Sequence, residues 1–431
     1  MKTFIEPSRS AWAAITSRPQ LDNLSLVGKV SEVLQTVRKL GDQAVQQFTS
    51  TFDGVNLSEF TLSEQEWQEA ENQVSAPLKT AIQKAAKNIE TFHQQQAMDI
   101  SPIETQPGVQ CWRKSVGIEK VGLYIPGGSA PLFSTILMLG IPARLAGCKQ
   151  VVLCSPPDKA GKLHPAILYA AKLVGITQVF KIGGVQAIGA MAYGTQTVPK
   201  VHKIFGPGNQ YVTAAKELVQ QTGTAIDMPA GPSEVLVVAD DSANPIFVAA
   251  DLLSQAEHGP DSQALLITTS KNLANAVEKE VLRQLEDLPR KAIASQALQH
   301  SKLVVVKSME EVIELSNMYA AEHLILSVNN PETVAEGIIN AGSVFLGHYS
   351  PESVGDYASG TNHTLPTNGY ATAYSGVSLD SFVRKITFQK LSSQGLAGIA
   401  DTVITMAEAE GLRAHALAVS RRLDQDQTAI K

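Results

Sequence analysis

Between Val121 and Gln220 the chain runs four times through one pattern, a short apolar stretch followed by a helical one. Val121–Ile125 precedes Leu132–Leu145, and Val151–Cys154 precedes Pro165–Leu173. Gln178–Ile182 precedes Gln186–Tyr193, and Val201–Phe205 precedes Tyr211–Gln220. Strands that are continuously apolar, rather than alternating, are buried on both faces, and alternation with helices makes the sheet parallel. The pattern therefore predicts a doubly wound α/β unit over about residues 120 to 222.

A second run follows the segment Ile226 to Glu234. Val235–Ala239 leads into a helix that Asn244 caps, Pro245 opens and Gly259-Pro260 stops after His258. Ala264–Thr268 precedes a helix from Leu273, and Leu303–Val306 precedes one opened by Ser308 with Glu311 three residues on, the spacing of a capping box. His323–Val328 and Val344–Leu346 supply further strands, so a second α/β unit is predicted from about 233 to 346. The fold class is thus α/β, with two incomplete Rossmann-like, doubly wound parallel-sheet units, a helical N-terminal arm and a small C-terminal tail.

The domains expected are an arm at 1–20, a larger α/β domain from 21–119 plus 233–377, a second α/β domain at 120–232, and a tail at 378–431. The helical stretches Leu26–Phe48 and Ser63–Gln96 are expected to pack on the larger domain. Val109 to Pro126 reads as two strands around a turn. The tail, with strand-like Arg384–Lys390 and helices Leu396–Ala407 and Leu412–Leu423, is too small to bury a core alone and is expected to dock on a partner subunit.

At 431 residues the chain has volume for more than one core, and 44% hydrophobic with 18% charged residues is the composition of a globular chain. A net charge of −6 offers no basic footprint for nucleic acid or an anionic membrane. Three cysteines, Cys111, Cys148 and Cys154, form neither a disulfide framework nor a C-x-x-C zinc site. The most apolar window, Leu132 to Leu145, is interrupted by Gly140, Pro142 and Arg144, and the first residues lack a signal-peptide run, so a cytoplasmic protein is expected.

Chemistry is sought in the strand-to-helix loops, because open α/β sheets bind ligands beyond the carboxyl ends of their strands. Tyr124 to Ser129, Gly183 to Gln186, Phe205 to Asn209 and Ala230 to Ser233 are such loops, with glycines that allow close approach to a phosphate near helix N-termini. A dinucleotide is the natural candidate, although Tyr211 stands where the third glycine of G-x-G-x-x-G belongs. Tight turns need glycine in any case.

Gln255 and His258 are i and i+3 at a helix end, able to ligate a metal or merely to finish the helix with a polar turn. Glu322-His323 sets a carboxylate beside an imidazole, a pair able to activate water and to take a proton from a hydroxyl, or a surface Glu beside a half-buried His. Asp356 and His363 lie in a long Gly/Ser/Thr-rich loop of the kind that is functional or mobile. Glu410 and His415 sit in the tail, where His415 equally suits an exposed helix position. Gln255, His258, Asp356 and His415 would form a mixed N/O set suited to zinc, but no local spacing brings them together.

The stretches Ile226 to Val235, Ser254 to Gln263, Glu322 to Leu324 and Ser350 to Pro366 closely resemble the histidinol dehydrogenase family, and the likeness runs through nearly the whole chain. The resemblance implies zinc- and NAD-dependent oxidation of L-histidinol to L-histidine through L-histidinaldehyde, the last step of histidine biosynthesis. It implies one zinc ion per subunit on Gln255, His258, Asp356 and His415, and an acid/base pair in Glu322 and His323. Substrate contacts are implied at Ser233, His363 and Glu410 besides the ligands and the pair, with Tyr124, Gln186 and Asn209 near NAD. It further implies a homodimer in which the tail completes the neighbouring site. A thiohemiacetal route through Cys148 or Cys154 is chemically possible, but their apolar settings favour packing. Two other classes are compatible with parts of the pattern: a zinc hydrolase of a small amide or ester, and a non-catalytic two-domain binding protein.

Overall fold

The architecture is that of a computed structural model, which describes residues 1–18, 23–97, 101–127 and 131–428. Its strands are β1 Lys2–Ile5, β2 Ile103–Gln106, β3 Val109–Gly117, β4 Lys120–Tyr124, β5 Gln150–Ser155, β6 Gln178–Lys181 and β7 Lys203–Phe205. They continue with β8 Ala225–Ile226, β9 Glu234–Ala239, β10 Gln263–Thr268, β11 Lys302–Val305, β12 His323–Ser327, β13 Ser343–Leu346 and β14 Val383–Leu391. Two parallel sheets, ordered β6-β5-β4-β7-β8 and β1-β11-β10-β9-β12-β13, bear out the α/β class.

Both sheets share one winding. In each, the first strand is central, two strands are added outward on one side, and the chain then reverses to add two on the other. The reversal falls between β4 and β7 in the first sheet and between β9 and β12 in the second. The second sheet also gains β1, whose residues pair in parallel from Lys2↔Lys302 to Ile5↔Val305. A four-residue strand is too short to carry a periodic signal, so the expected arm at 1–20 instead contributes an edge strand.

Each sheet is covered on both faces, as continuous apolar strands require. On the first, Val152 and Cys154 face one core and Leu153 the other. The N-terminal helices correct an expectation, for they pack on this sheet rather than on the second. Val30, Leu34 and Val37 of the helix Asn23–Leu40 join Ala187, Ile188 and Met191 in one core, while Ile82 and Ile89 of the helix Ala76–Gln94 join Ile136 to Leu139 in the other. The connection adds a backbone bond from the Lys181 N–H to the Phe60 carbonyl at the edge of β6. An amphipathic stripe states that a helix is half-buried, not against which sheet.

The chain divides into two compact units, residues 1–96 with 118–382, and residues 97–117 with 383–431. In the smaller unit β3 pairs antiparallel with β14 along its whole length, Gly117↔Val383 to Val109↔Leu391, and with β2 on its other side. The two strands expected between Val109 and Pro126 are present as β3 and β4, and they belong to different sheets. The helices Ser393–Ala409 and Arg413–Thr428 complete this unit. No helix among the described residues is long and apolar enough to cross a membrane.

Candidate active site

Glu322 and His323 stand where β12 begins, after the helix Met309–Tyr319 ends on Ala320 in the left-handed conformation (φ +50°). Both are buried, at 5% and 4% exposure. β12 lies beside β9, and the first residue of β9 addresses both side chains: the Glu234 N–H donates to Glu322 Oε2 at 2.8 Å, and its carbonyl lies 3.2 Å from His323 Nδ1. A carbonyl only accepts, so Nδ1 keeps a hydrogen, and Nε2 is the ring nitrogen at which a proton is gained or lost. Burial pushes the Glu322 carboxyl up to about 8, although the neighbouring His323 opposes the shift. Burial alone would lower His323, but the carboxylates of Glu352, Glu322 and Asp356 outweigh it and hold the imidazole well above its ordinary value.

Gln255 lies in the last turn of the helix Pro245–Ala256, which closes two residues before His258, with Glu257 as C-cap. Gln255 is fully buried, and its amide nitrogen, turned toward Glu352, donates to Oε1 at 2.7 Å and Oε2 at 3.2 Å. Glu352 and Asp356 are i and i+4 in the short helix Glu352–Tyr357. His258, Glu352 and Asp356 bring one ligand atom each within 4.8 Å of one another, with His258 opening to solvent. Asp356 Oδ1 and His323 Nε2 are buried atoms without a hydrogen-bond partner, 3.5 Å apart. Burial raises Glu352 to about 8 and Asp251, one turn before Gln255, to about 7. Burial would raise Asp356 as well, but the imidazoles of His323, His363 and His258 bring it below the usual carboxylate range. An imidazole, an amide oxygen and an excess of buried carboxylate around orphaned polar atoms is a donor set that fits a borderline divalent cation.

His363 is fixed at both ring nitrogens: Nδ1 lies 2.8 Å from the Asp356 carbonyl and Nε2 3.1 Å from the Thr135 hydroxyl. Burial lowers its pKa, which suits a neutral ring that donates from Nδ1 and accepts from Thr135. Ser233 is half-buried just before β9, its carbonyl bonded to the Gln263 N–H at 3.1 Å. The structure thus gathers Glu322, His323, Gln255, His258, Asp356 and His363 around one cluster. Glu410, the C-cap of the helix Ser393–Ala409, and His415 belong to the smaller unit, and both are exposed there.

The residues expected near a dinucleotide lie at carboxyl ends of strands in the first sheet. The Tyr124 hydroxyl accepts the Gly184 N–H at 3.1 Å. Gln186, in the first turn of the helix Gly184–Tyr193, is fully buried; its Nε2 donates to Asp53 Oδ2 at 3.1 Å and its Oε1 has no partner. Asn209, exposed, caps the helix Gln210–Gln220 by accepting from the Tyr211 and Val212 amides, both at 3.1 Å. Beside it, Asp227 accepts the Gly206 N–H at 2.8 Å and pairs with buried Lys216. Gly128 and Ser129 of the first glycine loop lie outside the described residues.

The glycine loops lie at carboxyl ends of the first sheet, whereas Glu322-His323 and Glu234 lie at the amino ends of β12 and β9, against the carboxyl-end rule. Glu352, Glu234, Asp53 and Thr135 were not singled out from sequence. The one available signal was the i, i+4 spacing of Glu352 and Asp356; the others become neighbours only through the tertiary fold.

A sequence model of the family described as histidinol dehydrogenase matches residues 16–423. The histidinol dehydrogenase of Bacteroides thetaiotaomicron is 61% identical over 424 residues, covering 98% of this chain and 99% of that protein. That of Yersinia pestis is 54% identical over 413 residues, 95% of this chain and 92% of that protein. The crystal structure of histidinol dehydrogenase from Elizabethkingia anophelis superposes with a TM-score of 0.97 at 56% identity, covering 99% of each chain.

Proposed function

The chain belongs to the histidinol dehydrogenase family, and on that footing we propose that it oxidises L-histidinol to L-histidine through L-histidinaldehyde, using zinc and NAD, as the last step of histidine biosynthesis. The observation that carries the reading is the buried Glu322-His323 pair whose free ring nitrogen, Nε2, points at a cluster rich in metal-ligating side chains.

Gln255, His258 and Asp356 would hold one zinc ion per subunit, with His415 from the tail of the neighbouring subunit of a homodimer as fourth ligand. When bound, the metal supplies a positive anchor for the imidazole and amine of the substrate, and NAD supplies a hydride acceptor used twice. Ser233, His363 and Glu410, the last also from the neighbouring tail, would bind the substrate. Tyr124, Gln186 and Asn209 would face NAD in the glycine-loop unit, residues 120–232.

The proton steps fall to the chain's own pair. His323 Nε2 takes the hydroxyl proton as the carbinol carbon loses hydride, which gives the aldehyde. Glu322 then takes a proton from water as that water adds to the aldehyde carbon, and the product is a geminal diol. Once His323 has released its first proton to solvent, it accepts a diol proton as the second hydride leaves to NAD, and the acid is formed. A Glu above the usual carboxylate range is matched to a proton transfer near neutrality.

The test mixes purified protein, L-histidinol, NAD and zinc and follows NADH absorbance. About two NADH per histidinol is the expected yield for a four-electron oxidation. One NADH with aldehyde released would remove the second step, and none with zinc bound would return the case to a hydrolase.

A further inference from the structure

Glu234 touches both members of the proposed pair with its backbone, and its side chain turns elsewhere. That carboxylate is 3% exposed and is held by the N-terminal segment: Arg18 Nε and Nη2 donate to Oε1 and Oε2 at 2.6 and 2.7 Å. The same Nη2 donates to the Tyr319 carbonyl at 2.7 Å, and the guanidinium lies 4.1 Å over the Tyr319 ring. The Asn368 N–H adds a further bond to Glu234 Oε1 at 2.9 Å. Tyr319 is the last residue of the helix that passes through strained Ala320 into Glu322. Arg18 therefore grips both segments from which the pair is built: the β9 residue that bonds to the two side chains, and the helix end that delivers them.

We infer that Arg18 is a positioning residue for the oxidation, fixing Glu234 and through it the directions of the Glu322 carboxylate and the His323 imidazole. The inference rests on the acid/base roles proposed above for those two residues. The chemistry calls for an arginine, since a planar fork spans both oxygens of one carboxylate, reaches a carbonyl and stacks on a ring, whereas an ammonium is a single point. Without it, a carboxylate buried at the start of β9 has lost its charge partner and must shift or take up a proton. Either response moves the Glu234 backbone that aims Glu322 and His323. Displacements of about 1 Å in a reacting group cost on the order of 100-fold in rate.

The test uses the full-length, zinc-loaded enzyme and steady-state kinetics with histidinol and with histidinaldehyde. Arg18→Ala is expected to lower kcat about 10- to 100-fold, with KM for histidinol within about twofold and zinc content unchanged. Added guanidinium ion, below denaturing concentrations, is expected to restore part of kcat in Arg18→Ala, while equal ionic strength from sodium chloride does not. Should Arg18→Ala fail to fold, Arg18→Lys carries the test, with kcat down at least about fivefold at unchanged KM. A folded variant with parental kcat, or a loss that guanidinium does not repair, overturns the positioning role. Glu322→Gln is measured alongside. If it oxidises histidinaldehyde at the parental rate, the acid/base reading falls and this inference with it. If it is slow while Arg18→Ala is normal, only the role of Arg18 falls.

Discussion

His323 Nε2 and Asp356 Oδ1 stand 3.5 Å apart, both buried, and neither has a hydrogen-bond partner. Buried polar atoms are rarely left so. A cation on the Asp356 side and a substrate hydroxyl on the His323 side would satisfy both atoms at once. On the proposed reading, the two atoms would mark the boundary between the half of the site that holds the metal and the half that accepts protons.

The metal half is tested through Asp356. Asp356→Asn keeps the size of the side chain and removes its charge from a cluster it shares with His258 and Glu352. Zinc affinity, measured by chelator competition, is expected to fall at least about 100-fold, the upper end of what even outer-shell changes produce at metal sites. Wild-type protein stripped by a chelator should lose activity and regain it with zinc. Retention of full zinc affinity by Asp356→Asn would remove this residue from the ligand set.

The proton half is tested by separating the two oxidations. Glu322 Oε2 is oriented by the Glu234 N–H at 2.8 Å, and an amide oxygen can accept that bond equally well. Glu322→Gln should therefore preserve the local structure while removing the base and one of the three carboxylates that raise His323. Histidinol oxidation to the aldehyde is expected to stay within about threefold, while aldehyde oxidation slows at least about 100-fold, the scale of general-base catalysis. Equal slowing of both steps would contradict the division of labour between Glu322 and His323.

Cysteine chemistry gives a prediction in pH. Burial pushes the Cys148 thiol up to about 11 and raises fully buried Cys154 as well. A thiol with a pKa of about 11 is thiolate to only about one part in ten thousand at pH 7, which makes a poor nucleophile. The rate of Cys148 alkylation by iodoacetamide should accordingly climb about tenfold per pH unit past pH 9, where an ordinary thiol levels off. Cys148→Ser should oxidise both histidinol and histidinaldehyde at parental rates. A plateau in alkylation near pH 8.5, with selective loss of the aldehyde step in Cys148→Ser, would instead favour a thiohemiacetal.

How far the sequence could be read follows from the range of the interactions involved. The parallel strands were legible because burial on both faces leaves a continuous apolar run, as in Val235 to Ala239, and helix ends were legible where Asn244 or Ser308 caps them. Even so, the Glu311 carboxylate closes its box on the Lys307 N–H rather than on that of Ser308. Pairing between distant segments left no local trace, and so β1 beside β11, β3 beside β14 and the helix Asn23–Leu40 on the first sheet were missed or misplaced. In the site, Glu322-His323 announced itself as adjacent ionisable residues, whereas Glu234 acts through its backbone, which no side-chain pattern reports. The amino-end location of the pair also ran against the carboxyl-end rule, because contacts between β9 and β12, rather than a strand-to-helix loop, assemble it.

The glycine-loop site is tested at Gly206. Its φ of +123° lies where a side chain is strained, and a Cβ there would run into the Tyr124 carbonyl at the end of β4. The backbone cannot rotate away freely, since the Gly206 N–H is bonded to Asp227 and its carbonyl accepts from Lys216 Nζ at 2.8 Å. In Gly206→Ala the loop that carries Asn209 must therefore lift from Tyr124. Strain of this kind amounts to about 1–3 kcal/mol, and if NAD binding needs the unlifted loop, its Kd should rise about 5- to 150-fold. Zinc affinity and histidinol binding, which the proposed function assigns to the amino ends of the second sheet, should change less than about twofold. Calorimetric titration of NAD and of histidinol into the same protein separates the two effects. NAD affinity unchanged in a folded Gly206→Ala would place the nucleotide away from the β4 and β7 loops.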